Sequence, residues 1–473
     1  MKPFIRQIFV ASSQQLAAVS VGAVIAYPNV VLEQLRSEAS MILDMDLRTW
    51  IGSTHGLVGI PCILMPTFMQ WRGRKLSFIL TCLLIIIGWA WTAAASNATH
   101  IIIGECFHGL GAHSLVIVSN CVISETFLPN IRTVTMATYT VSQSFGMSMV
   151  SIIGRFVHWK TVGWIMSVPI LVALLISCMS PETPSWLAWK GYDDKCAKAL
   201  KWLRGTGDDV ERELNALLCT QKENKAFTKS IRKRNNFKDF LTQISRRDFY
   251  VPTLHTFVYF WTFYWSGTMV VIIYAMEIIR KSTSNETAAF YCMIFVDIVL
   301  FIGCLSGTFL LNSFKNKSIL LTSQISSATI LLISAVTSYL QTKEVISKDS
   351  IFLVYLIVGF VLSYSFGMST LTFSMPIELM PLKHRGIGGA LYVIFIGTLH
   401  SASLKISPYM FLYIDLWGTF LIYAINAMFG AYYVHTYVPE TKGRSLHEIE
   451  RYYNSGRFIT DEKDNENCEN ISL

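Results

Sequence analysis

Two stretches of this chain, Leu76–Ser96 and Ile351–Pro376, carry no charged side chain. Each is longer than the ~20 residues that a helix needs to cross the hydrocarbon of a bilayer. Only helices and closed barrels satisfy their backbone polar groups inside lipid. Barrel strands are shorter and alternate apolar with polar positions, and these runs do not alternate. The chain therefore reads as an all-α membrane protein. Its charged fraction, 15%, lies well below the roughly one quarter of a soluble domain. The first apolar run lacks a small-residue cleavage site followed by a soluble domain, so it reads as a retained first span.

Hydropathy predicts twelve spans, at about 7–27, 50–69, 76–96, 101–124, 134–157, 162–180, 250–275, 289–311, 318–340, 351–375, 386–408 and 415–438. Placing both termini in the cytoplasm puts 30 of the 39 Lys and Arg residues on that side. The positive-inside rule then fixes the orientation of a multi-pass protein of the plasma membrane. Because the positive excess sits in loops on one face, it does not point to nucleic acid. Asn97 and Asn285 head glycosylation sequons on the outer side, Asn285 the better placed of the two. In this division residues 1–180 form a first six-helix half and 250–438 a second. Residues 181–249 form a cytoplasmic helical linker, and 439–473 a cytoplasmic tail. Within the linker Ala197, Leu200, Trp202 and Leu203, then Val210, Leu214, Leu217 and Leu218, recur at helical spacing among charges. Short amphipathic helices are expected there, and disorder in the acidic tail after Tyr453.

The two halves repeat one another. Glu125 and Arg132 follow span 4, and Glu378 and Arg385 follow span 10, with 253 residues between the glutamates and between the arginines. Pro181-Glu182-Thr183 recurs 258 residues later as Pro439-Glu440-Thr441. The loop 70–75 recurs 242 residues later as 312–317. Four features in one order at nearly one offset identify two parallel six-span repeats, the signature of an alternating-access carrier. Arg74, Glu125, Arg132, Glu182, Glu378, Arg385 and Glu440 then read as a cytoplasmic gate of acid–base pairs between the halves. The competing reading is that they cap helix ends, and the duplicated spacing favours the gate.

These residues resemble the sugar-porter branch of the major facilitator superfamily. Pro439-Glu440-Thr441-Lys442-Gly443 is similar to the motif after span 12, Pro181-Glu182-Thr183-Pro184 to that after span 6, and Arg72-Gly73-Arg74-Lys75 to the loop after span 2. Trp50 to Ser53 and Ala26-Tyr27-Pro28 resemble the divergent insect-type facilitated trehalose/hexose transporters. The resemblance implies a twelve-helix fold, facilitated movement of a sugar or polyol, no cofactor, no enzymatic activity, and a monomer in the bilayer.

The departures fall where that family binds sugar. The span 7 run is Phe263-Tyr264-Trp265-Ser266-Gly267-Thr268-Met269, without the family's glutamines and asparagine. Glu105 stands at the span 4 arginine, Leu300 at the span 8 asparagine, and Phe373 closes the span 10 segment. The carried-over substrate positions are Thr140, Gln143, Tyr264, Trp265, Ser266, Tyr274, Phe373 and His400. A sugar entering a dry cavity must exchange its water hydrogen bonds for protein ones, and amides both donate and accept. Their loss leaves two alternatives open: a non-transporting sensor or receptor, and a carrier of a more apolar solute.

Ionisable groups inside a membrane are expensive and usually functional. Asp297 in span 8 could pair with Lys405 in span 11 or carry a proton; snorkelling to the outer surface is the favoured reading of Lys405. Glu105, His108 and His113 read equally as part of a hydrated outer vestibule or as groups with a direct role. No phosphate-binding loop, metal-ligand cluster or catalytic triad appears in the sequence.

Overall fold

The structure is a computed structural model. It describes residues 3–38, 44–127, 129–208, 210–219, 246–282, 286–347, 351–372, 374–380, 385–440, 442 and 452–453. Among these residues every regular element is helical. Phe373, Asn285 and the tail after Tyr453 lie outside the described residues, as do the side chains of Arg132, Glu378 and Arg385.

Twelve spans are present. Span 1 is Pro3–Glu38, span 3 Arg74–Ala93, span 4 Ala98–Thr126, span 5 Pro129–Phe156 and span 6 Trp159–Met179. Span 8 is Glu286–Ser313, span 9 Asn316–Thr342, span 11 Arg385–Tyr413 and span 12 Asp415–Tyr437. Among the described residues, ten spans are long and apolar enough to cross a membrane on those grounds alone. Spans 5 and 12, of 28 and 23 residues, are more polar but equally long.

Three spans are broken where sequence periodicity alone predicts continuous helices. Span 2 runs Met45–Leu57, passes through a 3-10 turn at Ile60–Leu64 and resumes as Met65–Arg72. Pro61 and Pro66 start the two new segments, where a proline's missing N–H costs nothing. Span 7 runs Arg247–Trp265, stops at Gly267 and resumes as Thr268–Ile273 and Ala275–Ser282. Gly267 has φ +79°, and a Cβ there would also meet the Tyr423 ring at 2.4 Å. Span 10, Phe352–Tyr364, continues as a π-turn over Ser365–Ser369, and a short helix Ser374–Leu379 follows. Wide turns of this kind concentrate at functional sites.

Spans 3, 6, 9 and 12 carry the outward apolar surface. Leu83, Leu175, Ile325 and Ile425 are all exposed, as they must be to face lipid. Spans 1, 2, 4 and 5 of the first half and 7, 8, 10 and 11 of the second surround the centre. The halves meet where span 2 packs on span 11 and span 5 on span 8.

The linker helices Pro184–Lys190, Asp193–Arg204 and 210–219 match the expected amphipathic segments. Leu187, Ala188, Cys196 and Ala199 form their core, with Leu214, Leu217 and Leu218 against it. Burial there pushes the Cys196 thiol up to about 11. These helices are fastened to the first half: Arg6 and Gln7 donate to the carbonyls of Trp202 and Leu203, and Arg204 donates to that of Thr126.

The repeat persists at the level of single hydrogen bonds. Lys75 Nζ caps the end of span 6 by donating to the carbonyls of Cys178 and Ser180, at 2.7 and 2.8 Å. Lys317 Nζ caps the end of span 12 through those of His435 and Val438, both at 2.8 Å. In return, Glu182 accepts from the backbone N–H of Lys75 and Glu440 from that of Lys317. A carboxylate over the first N–H groups of one helix and an ammonium over the last carbonyls of another both complement the helix dipoles. This reciprocal lock ties span 3 to span 6 and span 9 to span 12. Below, the end of the bundle carrying these locks and the linker is the linker end; the opposite end is the far end.

Candidate functional site

A central cavity lies between the halves. Thr140, Gln143, Tyr264 and His400 line it, four of the residues carried over from the family pattern. Three others do not. Trp265 stacks on the outward-facing Trp261 at 5.5 Å, with 21° between the rings. Ser266 donates to the carbonyl of Thr262 and accepts from Asn426 of span 12. At ~100° per residue these two positions rotate past the cavity, and Phe263 with Met269 takes their place. Tyr274 lies nearer the far end, where its hydroxyl donates to the carbonyl of Leu404 at 3.1 Å. Ser369 and Thr372 of span 10 line the wall.

The sequence pattern did not single out His55, Tyr364 or Tyr392, and left His113 between vestibule lining and a direct role. All four face the cavity. The available signal was a histidine within an apolar span, which is rarely placed there without use. Apolar walls from Val21, Ile25, Val116, Leu300, Val393 and Ile396 separate these polar groups.

At the linker end, Glu125 accepts from Arg74 Nε at 3.0 Å and Nη2 at 2.6 Å, and from the Thr183 hydroxyl at 2.7 Å. Glu182 accepts from the backbone N–H of Arg74 and Lys75 rather than from a guanidinium. Burial pushes the Glu182 carboxyl above its ordinary range, against the hydrogen bonds it accepts. Gly73 approaches it with φ +100°, and a Cβ there would lie 2.1 Å from Glu182 Oε2. Glu440 accepts from the backbone N–H groups of Lys317 and Lys442. These bonds of Arg74, Glu125, Glu182 and Glu440 therefore hold within one half, where pairs between halves were expected.

The hydrogen bonds that join the halves among the described residues gather towards the far end. Asn29 Nδ2 donates to the carbonyl of Ile272 at 3.2 Å, and Arg280 forms an ion pair with Glu33. Lys405 pairs with Asp46 and lies 4.2 Å above the Trp50 ring. The Asp297 carboxylate accepts from the Ser151 hydroxyl. The lysine reaches outward to an exposed acid, in line with the favoured snorkelling reading, while the aspartate stays at the seam between spans 5 and 8 and the alternative Asp297–Lys405 pair is not formed. Glu105 and His108 are fully buried against Trp89 rather than in a hydrated vestibule, with His108 Nδ1 at 3.3 Å from Glu105 Oε1. Asn97 caps span 4 by accepting from the backbone N–H of His100 at 2.9 Å.

The profile of the sugar (and other) transporter family matches residues 8–453. A facilitated trehalose transporter of Apis mellifera ligustica is 26% identical over 459 residues, covering 94% of this chain and 88% of that protein. One of Drosophila sechellia is 27% identical over 469 residues, covering 94% and 90%. Among solved structures, the xylose transporter of E. coli in a partially occluded inward-open conformation superposes with a TM-score of 0.74, at 16% identity over 93% of this chain and 99% of that one. A major facilitator superfamily proton:xylose symporter bound to 6-bromo-6-deoxy-D-glucose superposes with a TM-score of 0.72, at 17% identity over 93% and 98%. At this identity the superpositions show the fold: twelve helices in two six-helix halves, the major facilitator superfamily architecture.

Proposed function

The chain belongs to the sugar (and other) transporter family, and from that premise we propose that it moves a neutral sugar or polyol across the plasma membrane by alternating access, without catalysing a reaction. The cavity at the seam carries the reading, because spans from both halves line it and span 2 meets span 11 above it. The likeness to facilitated trehalose transporters supports trehalose or a hexose as cargo and a facilitative mode. The proposed orientation keeps the linker end and both termini in the cytoplasm, as the excess of Lys and Arg supports. The far-end bonds then hold the outer side closed, and transport requires them to part. The proposed boundaries are 1–180, 181–249, 250–438 and 439–473, and the working unit is the monomer.

The test is uptake of labelled trehalose, glucose and a polyol into liposomes holding the purified protein. Saturable uptake, unchanged by an imposed proton gradient, is expected. No saturable uptake of any of them would refute sugar transport; acceleration by the gradient would refute the facilitative mode.

The linker-end network is expected to matter for the same cycle. Glu125→Gln leaves the Arg74 guanidinium without its carboxylate. Breaking a buried pair costs about 3–5 kcal/mol, and less here because both side chains keep about 15% exposure. Maximal uptake rate is expected to fall about tenfold with little change in KM. A rate equal to wild type would show that the pair does not support cycling.

A further inference from the structure

Three imidazoles meet midway through the bundle. His55 and His113 come from the first half, with ring centroids 5.0 Å apart. His400 comes from the second half, 6.0 Å from His55. Tyr264 stacks on His400 at 5.1 Å, with 21° between the planes. Close packing of spans 2 and 11 holds His55 and His400 opposite each other: a Cβ at Gly56 would lie 2.8 Å from the backbone N of Ser401, and one at Gly397 would lie 2.9 Å from the carbonyl O of Gly56.

His55 and His400 are only 5% and 4% exposed. His55 Nδ1, His400 Nε2 and the Tyr364 hydroxyl are buried with no hydrogen-bond partner among the described residues. Such a group costs about 1–3 kcal/mol, yet all three residues line one cavity. Among the described residues no group of three or more His, Cys, Asp or Glu could hold a metal ion. A neutral imidazole has one donor and one acceptor, the same pair that a side-chain amide offers. The family's amides are missing from this wall, and imidazoles stand in it.

We propose that His55 and His400 determine specificity, each hydrogen-bonding a hydroxyl on one edge of a neutral sugar, one from each half. The inference rests on the sugar-transport reading above. Tyr264, stacked on His400, presents a flat surface to the ring of the sugar, and Val116, Leu300 and Val393 face its C–H groups. Because the two imidazoles belong to different halves, the clamp is complete only while spans 2 and 11 are together.

The test compares uptake of the best transported sugar and its monodeoxy analogues by liposomes holding wild-type protein, His55→Leu, His400→Leu and the corresponding glutamine variants. Each leucine variant is expected to raise KM for the parent sugar about tenfold, the size of one lost hydrogen bond to a buried partner. Glutamine is expected to recover most of that loss, which a purely structural role would not predict. At least one monodeoxy analogue should lose about tenfold on the wild type and nothing further on His55→Leu. Leucine variants with wild-type KM for the sugar and every analogue would overturn the clamp and leave sugar transport standing. A wild type with no saturable sugar uptake would overturn both.

Discussion

Arg280→Gln is expected to open the far end of the bundle. An impermeant thiol reagent added from that side should label Cys304, which lines the cavity, about tenfold faster than in wild type. Arg280 lies in the last segment of span 7 and Glu33 near the end of span 1, so their ion pair joins the two halves, with side chains 16% and 15% exposed. A contact present in one state and absent from the other shifts the balance by its whole difference in energy, and about 1.4 kcal/mol makes a tenfold change. Glu33→Gln should act in the same direction. Asp46→Asn should not change labelling measurably, because the Asp46 side chain is 58% exposed and exposed pairs contribute little. Mass spectrometry of the labelled cysteine supplies the measurement. An unchanged rate in Arg280→Gln would remove this pair from the closure.

Gly146→Val is expected to prevent the first half from assembling. Spans 1 and 5 cross with their backbones in contact: a Cβ at Gly146 would lie 2.0 Å from the carbonyl O of Val19, and one at Gly22 would lie 1.8 Å from that of Gln143. Backbone atoms cannot yield as a flexible side chain can, so the helices must separate. In lipid no hydrophobic force draws them back together, because small residues and close packing supply the association. The expected result is loss of the monodisperse peak on size-exclusion chromatography and of measurable uptake. Gly146→Ala should show the same defect in milder form, as a lowered thermal transition. A valine variant with wild-type stability would contradict the tight crossing.

The spans were legible in the sequence because lipid imposes one rule on every residue facing it. The breaks in spans 7 and 10 were not, since Gly267 and Ser365–Ser369 act through backbone geometry that hydropathy ignores. The internal repeat was legible as spacing. Its content was not: spacing pairs Glu182 with an arginine, whereas the carboxylate grips the start of the neighbouring helix. In the cavity, Thr140, Gln143, Tyr264 and His400 were found by position. Trp265 and Ser266 were lost to a fraction of a helical turn, which a linear motif cannot resolve. The outward reach of Lys405 was legible from its place near a span end, but its partner Asp46 was not, because sequence separation hides it.

The reciprocal lysine–glutamate locks and the docked linker helices bear on how the polypeptide could be made. Each half contains its own lock, and the helices up to residue 219 are bonded to spans 1 and 4. Tyr453 packs beside His255, ring to ring at 5.9 Å, within the second half. Among the described residues, these fastenings therefore fall on one side or the other of residues 220–245. Two polypeptides synthesised separately and meeting in the same membrane would each arrive with the lock of its own half. Covalent continuity between the halves then secures equal numbers of the two parts.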